Sequence, residues 1–116
     1  MLGKKIVVVD DEESIRRTFF LILNKKYRVY LAKDAREALD RFRRAKIDLI
    51  IADSKLPQIS GLEMIAKFRE SGYKGQAILI SAHADLVKLD ELKQTSVGYF
   101  FVKPLDLNAI LRSVDY

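Results

Sequence analysis

Apolar residues in this chain come in short blocks, and each block runs into a polar residue of a particular kind. Ile6-Val7-Val8-Val9 leads to Asp10-Asp11, and Leu49-Ile50-Ile51-Ala52 leads to Asp53. Ala77-Ile78-Leu79-Ile80 leads to Ser81, and Tyr99-Phe100-Phe101-Val102 leads to Lys103-Pro104. Such near-continuous runs predict strands covered by helices on both faces. A fifth run, Tyr27-Arg28-Val29-Tyr30-Leu31, alternates and predicts an edge strand. The strands are expected at about 5–9, 27–32, 48–52, 76–80 and 98–102. Helical spacing lies between and after them, in Ile15, Phe19, Ile22 and Leu23, in Ala35, Ala38, Leu39 and Phe42, and in Leu107, Ile110, Leu111 and Val114. Asp34 with Glu37 and Ser60 with Glu63 have capping-box spacing. Asp106 suits the cap of the last helix, while Asp85 to Gln94 carries a looser leucine pattern at 86, 89 and 92.

Strands alternating with helices predict βαβ units and one parallel sheet. In an open parallel sheet ligands bind at the carboxyl edge, where strand order reverses. Asp10, Asp11, Asp53, Ser81 and Lys103 are therefore expected to meet there. Carboxylates about 4 Å apart repel by on the order of 4 kcal/mol at an effective dielectric of 20, so such a cluster calls for a cation. Magnesium suits the supply, because it accepts one or two carboxylates, a carbonyl and several waters. Taken singly, Asp10 or Asp11 also suits a helix cap, and Asp53 or Ser81 a turn. Lys103 offers a movable point charge for a carboxylate or a phosphoryl oxygen, and the bond to Pro104 admits the cis form.

Bulk composition narrows the classes. The 116 residues are 49% hydrophobic and 32% charged, which fits one globular domain spanning 1–116. No apolar run approaches the ~20 residues that cross a bilayer, and the start of the chain does not read as a signal peptide. With no cysteine, disulfides and thiolate metal sites are excluded. A cytoplasmic location is the simple reading. The net charge of +5 includes a cluster at Arg36, Arg41, Arg43, Arg44 and Lys46, but no aromatic residues are interleaved to stack bases. That cluster reads as a solvated helix face or a docking surface for an acidic protein, not as a nucleic-acid site.

The whole chain resembles the receiver domain of two-component response regulators. The resemblance is carried by Val8-Val9-Asp10-Asp11-Glu12, by Ile51-Ala52-Asp53-Ser54-Lys55-Leu56-Pro57 with Gly61, by Ile80-Ser81-Ala82, and by Phe100-Phe101-Val102-Lys103-Pro104. It implies a flavodoxin-like α/β fold, a five-stranded parallel sheet in the order 2-1-3-4-5 with helices on both faces. It implies that Asp53 accepts a phosphoryl group from a histidine-kinase phosphohistidine. Asp10, Asp11, Asp53 and the backbone carbonyl of Lys55 would hold Mg2+, for which Mn2+ could substitute, and Lys103 would pair with the phosphoryl group. Ser81 and Phe100 take the switch positions, with serine and phenylalanine in place of the equally familiar threonine and tyrosine; Leu105 stands where phenylalanine is common.

Lys55 and His83 would flank the line of water attack and set the lifetime of the phosphoryl group, Lys55 by covering it. Kinase docking is expected at Ile15, Thr18 and Phe19 with Pro104 and Leu105, and output at the fourth helix, fifth strand and fifth helix, including Tyr99. Expected partners are a sensor histidine kinase or phosphotransfer protein and a downstream effector, with no nucleic acid and no membrane bound by this domain, as a monomer or a phosphorylation-dependent dimer. Catalysis would be limited to self-phosphorylation and dephosphorylation. The last helical pattern stops soon after Val114, which fits a segment cut from a longer protein or an economical single-domain version. An aspartyl-phosphate phosphohydrolase would need an Asp-x-Asp nucleophile after the first strand, and a flavodoxin-like cofactor site would need a phosphate-cradling loop there; neither is present. The remaining alternative is a pseudo-receiver that is not phosphorylated and serves as an interaction module.

Overall fold

Apolar runs buried on both sides need helices above and below, and the computed structural model, which describes residues 3–82 and 89–115, has that layering. Strands β1 (Lys5–Val9), β2 (Arg28–Ala32), β3 (Leu49–Asp53), β4 (Gln76–Ser81) and β5 (Tyr99–Val102) form one sheet in the order β2-β1-β3-β4-β5. Every pairing is parallel. Helices α1 (Glu13–Leu23), α2 (Ala35–Phe42), α3 (Gly61–Glu70), α4 (Leu89–Gln94) and α5 (Leu107–Val114) alternate with the strands. The period of two along each strand divides the core. Val7, Val9, Ile50, Ala52, Ala77 and Leu79 face α2 and α3, whereas Ile6, Val8, Leu49, Ile51, Ile78 and Ile80 face α1 and α5. Among the described residues no helix is long and apolar enough to cross a membrane.

Strand bounds agree with the expected ones to within a residue, and the small differences matter. Asp53 and Ser81 are the last residues of their strands, still in register with Ile80 and Val102, so the sheet itself aims them. The expectation that the fifth strand is covered like the central ones needs correction. β5 is an edge strand with one neighbour, as the expected order 2-1-3-4-5 has it, and Tyr99 and Val102 are 41% and 43% exposed. Its apolar run serves the two faces and leaves its ends open.

The two capping boxes form by half. Asp34 and Ser60 accept the amides of Glu37 and Glu63 at 2.8 and 3.1 Å. Glu37, however, takes the N–H of Lys33 (2.7 Å), and Glu63 takes the Ser60 hydroxyl (3.3 Å), so neither returns to the cap amide. Asp106 caps α5 through the Ala109 N–H at 3.1 Å. Helix α4 closes in a Schellman pattern, with Ser96 N–H donating to Lys93 and Val97 N–H to Leu92 at 3.1 and 3.0 Å. Ser96 adopts φ 56° there, a conformation that usually selects glycine. Arg69 secures this end by donating to the carbonyls of Thr95 and Ser96, each at 3.1 Å, and of Gly75 at 2.6 Å.

The loop after β3 is held from both sides. Ser54 N–H donates to the Ile80 carbonyl at 2.7 Å, and Gly61 N–H donates to the Ser54 carbonyl at 3.0 Å. A Cβ on Gly61 would collide with the Asp53 backbone carbonyl, so the start of α3 approaches the end of β3 only because residue 61 has no side chain. Gly61→Ala is therefore expected to cost about 1–3 kcal/mol of stability, the range for overpacking a rigid site. A urea midpoint lowered at unchanged slope would show it. An unchanged midpoint would mean that the loop yields freely.

Candidate functional site

Four carboxylates and one ammonium converge at the carboxyl edge of β1, β3 and β5. The Asp10 N–H donates to the Ala32 carbonyl at 3.1 Å, extending the ladder one residue beyond β1. Its side chain turns inward and is 1% exposed as a residue. Oδ1 accepts the Glu12 N–H at 2.9 Å, whereas Oδ2 is buried with no hydrogen-bond partner. Arg16 Nη1 donates to the Asp10 backbone carbonyl at 2.8 Å and steadies the turn. Asp53, 6% exposed, accepts the Lys55 N–H on Oδ1 at 3.2 Å and Lys103 Nζ on Oδ2 at 3.1 Å. Asp11 is exposed, yet Asp10, Asp11 and Asp53 each offer an oxygen, all within 4.8 Å of one another.

Lys103 reaches the cluster from the end of β5, with its N–H donating to the Ser81 carbonyl at 2.8 Å and a cis bond to Pro104. Besides Asp53, its ammonium lies 3.7 Å from Asp10 Oδ2 and 3.7 Å from Glu12 Oε1. Among the described residues Lys103 is the cation within 4.0 Å of Asp10, Glu12 and Asp53, and Asp11 adds a fourth carboxylate beside them. Burial pushes the Asp10 carboxyl up to about 6, helped by the charges of Asp53 and Glu12 and opposed by the Glu12 N–H and Lys103. Burial alone would depress Lys103, but its hydrogen bond to Asp53 and the surrounding carboxylates outweigh that and raise it. An orphaned buried oxygen in an acid-rich, all-oxygen cluster is the deficit that a small divalent cation repairs, so the donor set fits magnesium.

Above the acids lies a cavity of about 390 Å3 lined by Asp11, Glu12, Asp53, Lys55, Ser81 and Lys103 together with Ser54, Leu56 and Pro57 of the β3–α3 loop. Ser81 is buried at the end of β4. A larger cavity of about 800 Å3 opens at the opposite, amino edge of the sheet. Asp48, the one carboxylate in its lining, accepts the Lys5 N–H at 2.8 Å and Arg69 is bound to backbone carbonyls, so it gathers no cluster of acids like that at the carboxyl edge.

The other expected residues divide. Phe100 is half-buried on the α2–α3 side, in register with Leu79. Lys55 is exposed at the cavity. Thr18 donates its hydroxyl to the Ser14 carbonyl at 2.8 Å, Ile15 and Leu105 are half-buried against the core, and Pro104 is exposed. Phe19 needs correction as a docking residue. It is 0% exposed in the core, and the outward apolar residues of α1 are Phe20 and Leu21, at 36% and 63%. The helical spacing of Ile15, Phe19, Ile22 and Leu23 already places Phe19 on the inward face, and that face wins over docking. His83 lies outside the described residues. The sequence reading assigned no role to Glu12 or Arg16. Glu12 had a signal in its adjacency to Asp10-Asp11; Arg16, which binds a backbone carbonyl, had none.

The response regulator receiver domain pattern matches residues 6–115. The sporulation initiation phosphotransferase F of Bacillus subtilis is 29% identical over 115 residues, covering 98% of this chain and 93% of that protein. The alkaline phosphatase synthesis transcriptional regulatory protein PhoP of the same organism is 37% identical; the match takes in 97% of this chain but 49% of PhoP. The chain spans a smaller share still, 17% and 25%, of other matched relatives. Among solved structures, the response regulator TrrA of Thermotoga maritima in complex with Mg2+ and BeF superposes with a TM-score of 0.83 at 30% identity, covering 97% of this chain and 96% of that one.

The raised pKa of Asp10 has a definite sign for stability. The folded state holds its proton longer than the unfolded chain, so metal-free stability falls as pH rises from 3.8 through about 6. Asp10→Asn is expected to stabilise the protein in EDTA at pH 7 by roughly 1–3 kcal/mol, at 1.36 kcal/mol per unit of pKa. The gain should vanish as pH approaches 3.8. Urea titrations with and without magnesium test this, since the metal should stabilise the native chain and not the variant. An Asn variant no more stable than the native chain at pH 7 would show that the buried charge imposes no cost.

Proposed function

We propose that this chain, which belongs to the response regulator receiver domain family, takes a phosphoryl group from a phosphohistidine onto Asp53 and thereby switches a protein-binding surface. The observation that carries the reading is the placement of Asp53: a strand-end carboxylate 3.1 Å from Lys103 that also lines the cavity. An Asp53 oxygen attacks phosphorus, the donor's phosphorus–nitrogen bond breaks with its electron pair leaving on histidine, and an acyl phosphate forms. Phosphoryl transfer needs positioning and charge neutralisation more than covalent assistance. The Lys55 N–H on Oδ1 fixes the rotation of the carboxylate, and Lys103 pairs with the phosphoryl oxygens. Asp10, Asp11, Asp53 and the Lys55 carbonyl would hold Mg2+, or Mn2+ in its place, as hard oxygen ligands. When bound, that ion supplies charge neutralisation on the transferring group.

The switch runs through Ser81 and Phe100. New phosphoryl oxygens at Asp53 offer acceptors to the Ser81 hydroxyl, and Phe100 turns into the space released, altering α4, β5 and α5 around exposed Tyr99. Receiver domains pair with histidine kinases and effectors. For this chain, Ile15 and Thr18 with Pro104 and Leu105 form the docking face for a kinase or phosphotransfer protein, beside the acids. Lys55 shields the phosphoryl group and offers no acceptor to orient water.

Intact mass after incubation with magnesium and acetyl phosphate tests the central step. One added phosphoryl group is expected, dependent on magnesium and absent from Asp53→Asn. No adduct, or the same adduct on the variant, would instead favour a pseudo-receiver interaction module or another acceptor. Following decay of the adduct tests Lys55: Lys55→Asn is expected to shorten the half-life several-fold, and an unchanged half-life removes Lys55 as the shield.

A further inference from the structure

Helices α2 and α3 lie side by side on one face of the sheet and leave between them a groove of about 340 Å3. Leu39 of α2 and Ile59 of the loop before α3 supply its apolar floor, Arg36, Arg43 and Lys67 its cationic rim, and Asp40 its one carboxylate. Arg44 and Lys46 continue the positive surface. Among the described residues, none of the side chains of Arg36, Arg43, Arg44, Lys46 and Lys67 makes an ion pair within 4.0 Å. Three neighbouring acids are committed within the fold. Asp34 caps α2, Glu37 takes the Lys33 N–H and lies 3.8 Å from Arg41, and Asp48 takes the Lys5 N–H. Along this stretch Asp40 is the acid left facing the groove, whereas Arg36, Arg43, Arg44 and Lys46 are all exposed.

We propose that this groove binds an acidic segment of a partner protein, seating one apolar side chain on Leu39 and Ile59 while flanking carboxylates meet Arg36, Arg43 and Lys67. An apolar anchor in a recess supplies affinity, and rim charges supply orientation and encounter rate. Two other polyanions fit less well. A membrane surface is served by apolar residues that protrude, whereas Leu39 is recessed at 8% exposure. A nucleic acid gains from aromatic platforms, and the aromatic residue here, Phe42, is 8% exposed beneath the Arg41 guanidinium, 4.6 Å from the ring centroid.

The groove is distinct from the acidic cavity, although the same loop serves both. Lys55, Leu56 and Pro57 line the cavity, and Gln58 and Ile59 line the groove. Gln58 sits at φ 75° at the lip, its Oε1 accepting the Arg36 N–H at 3.4 Å. Binding in the groove needs no phosphoryl group, so it is expected equally in Asp53→Asn, and its failure is separate from failure of the phosphoacceptor reading.

The probe is a short fluorescent peptide with one leucine among glutamates, titrated into the isotope-labelled protein. Amide shifts are expected to concentrate in α2, the 54–60 loop and α3. Binding should weaken by about tenfold or more, equal to 1.4 kcal/mol, in Arg43→Glu/Lys67→Glu and when the peptide's leucine becomes serine. Because both substitutions are at exposed positions, an unchanged melting temperature serves as the folding check, with Arg36→Ser/Lys67→Ser as the milder pair. The proposal is overturned if no peptide binds or if the shifts lie elsewhere. It is also overturned if a glutamine-for-glutamate or serine-for-leucine peptide binds as well. Tighter binding of duplex DNA, or of phosphatidylcholine vesicles with one quarter phosphatidylserine, would overturn it too.

Discussion

Parallel pairing delivers every strand's carboxyl end to the same edge, and the chemistry of this molecule depends on that constraint. A chain that ends its core strands on Asp10, Asp53, Ser81 and the lysine after Val102 has no means of keeping those groups apart once the sheet forms. The result is unfavourable by itself. Lys103 bridges Asp10, Glu12 and Asp53, but one ammonium cannot neutralise those three together with Asp11, and Asp10 Oδ2 remains buried without a donor. Pairwise repulsion of a few kcal/mol at an intermediate dielectric is tolerable only on a framework with stability to spare. The central strands supply it, since Ile6–Val9 and Leu49–Ala52 are at most 1% exposed and packed on both faces.

That framework also limits how the site can respond. The β3–α3 loop is bonded to β4 through Ser54 and to α3 through Gly61, so the Asp53 end of β3 is fixed in place. At the far end of the molecule Arg69 ties the C-terminus of α4 to the loop after α3 through carbonyls of both segments. A cation at a helix C-terminus is favoured by the exposed carbonyl dipoles as well as by the hydrogen bonds. Between these two anchors lie Ser81, β5 and α4. Any rearrangement that starts at Asp53 is therefore channelled into that sector, because the segments on either side are already committed.

How much of this the sequence disclosed follows from the kind of partner each residue has. Residues whose partners are solvent or core, such as the apolar runs and the periodic faces of α2 and α5, announce themselves by spacing. Residues that act in company, such as Asp53 and Lys103, are legible once strand ends are expected to meet. Residues whose partners are backbone carbonyls leave no pattern, which is why Arg16, Arg69 and the left-handed Ser96 were not foreseen. The capping boxes show a finer limit: the spacing Asp34–Glu37 was right, but the glutamate found a different amide from the one the motif assigns. Phe19 marks the opposite error, where a core residue was given to the surface, while the apolar run of β5 alone did not disclose its open ends.

Charge separation links the two halves of the surface. The net charge of +5 suggests a uniformly basic protein, yet the carboxyl edge is strongly acidic and the excess of positive charge lies elsewhere, much of it along α2 and the loop after it. Fields of opposite sign on one small domain fall off over about 8 Å at physiological salt, so each surface acts on its own partners. An acidic edge repels anions until cations neutralise it, so on the proposed reading a metal would serve access as well as chemistry. A basic groove attracts acidic segments without any such condition. The loop from Ser54 to Ser60 lines both the acidic cavity and the basic groove, so one short, well-bonded element separates the two surfaces and would feel a change at either.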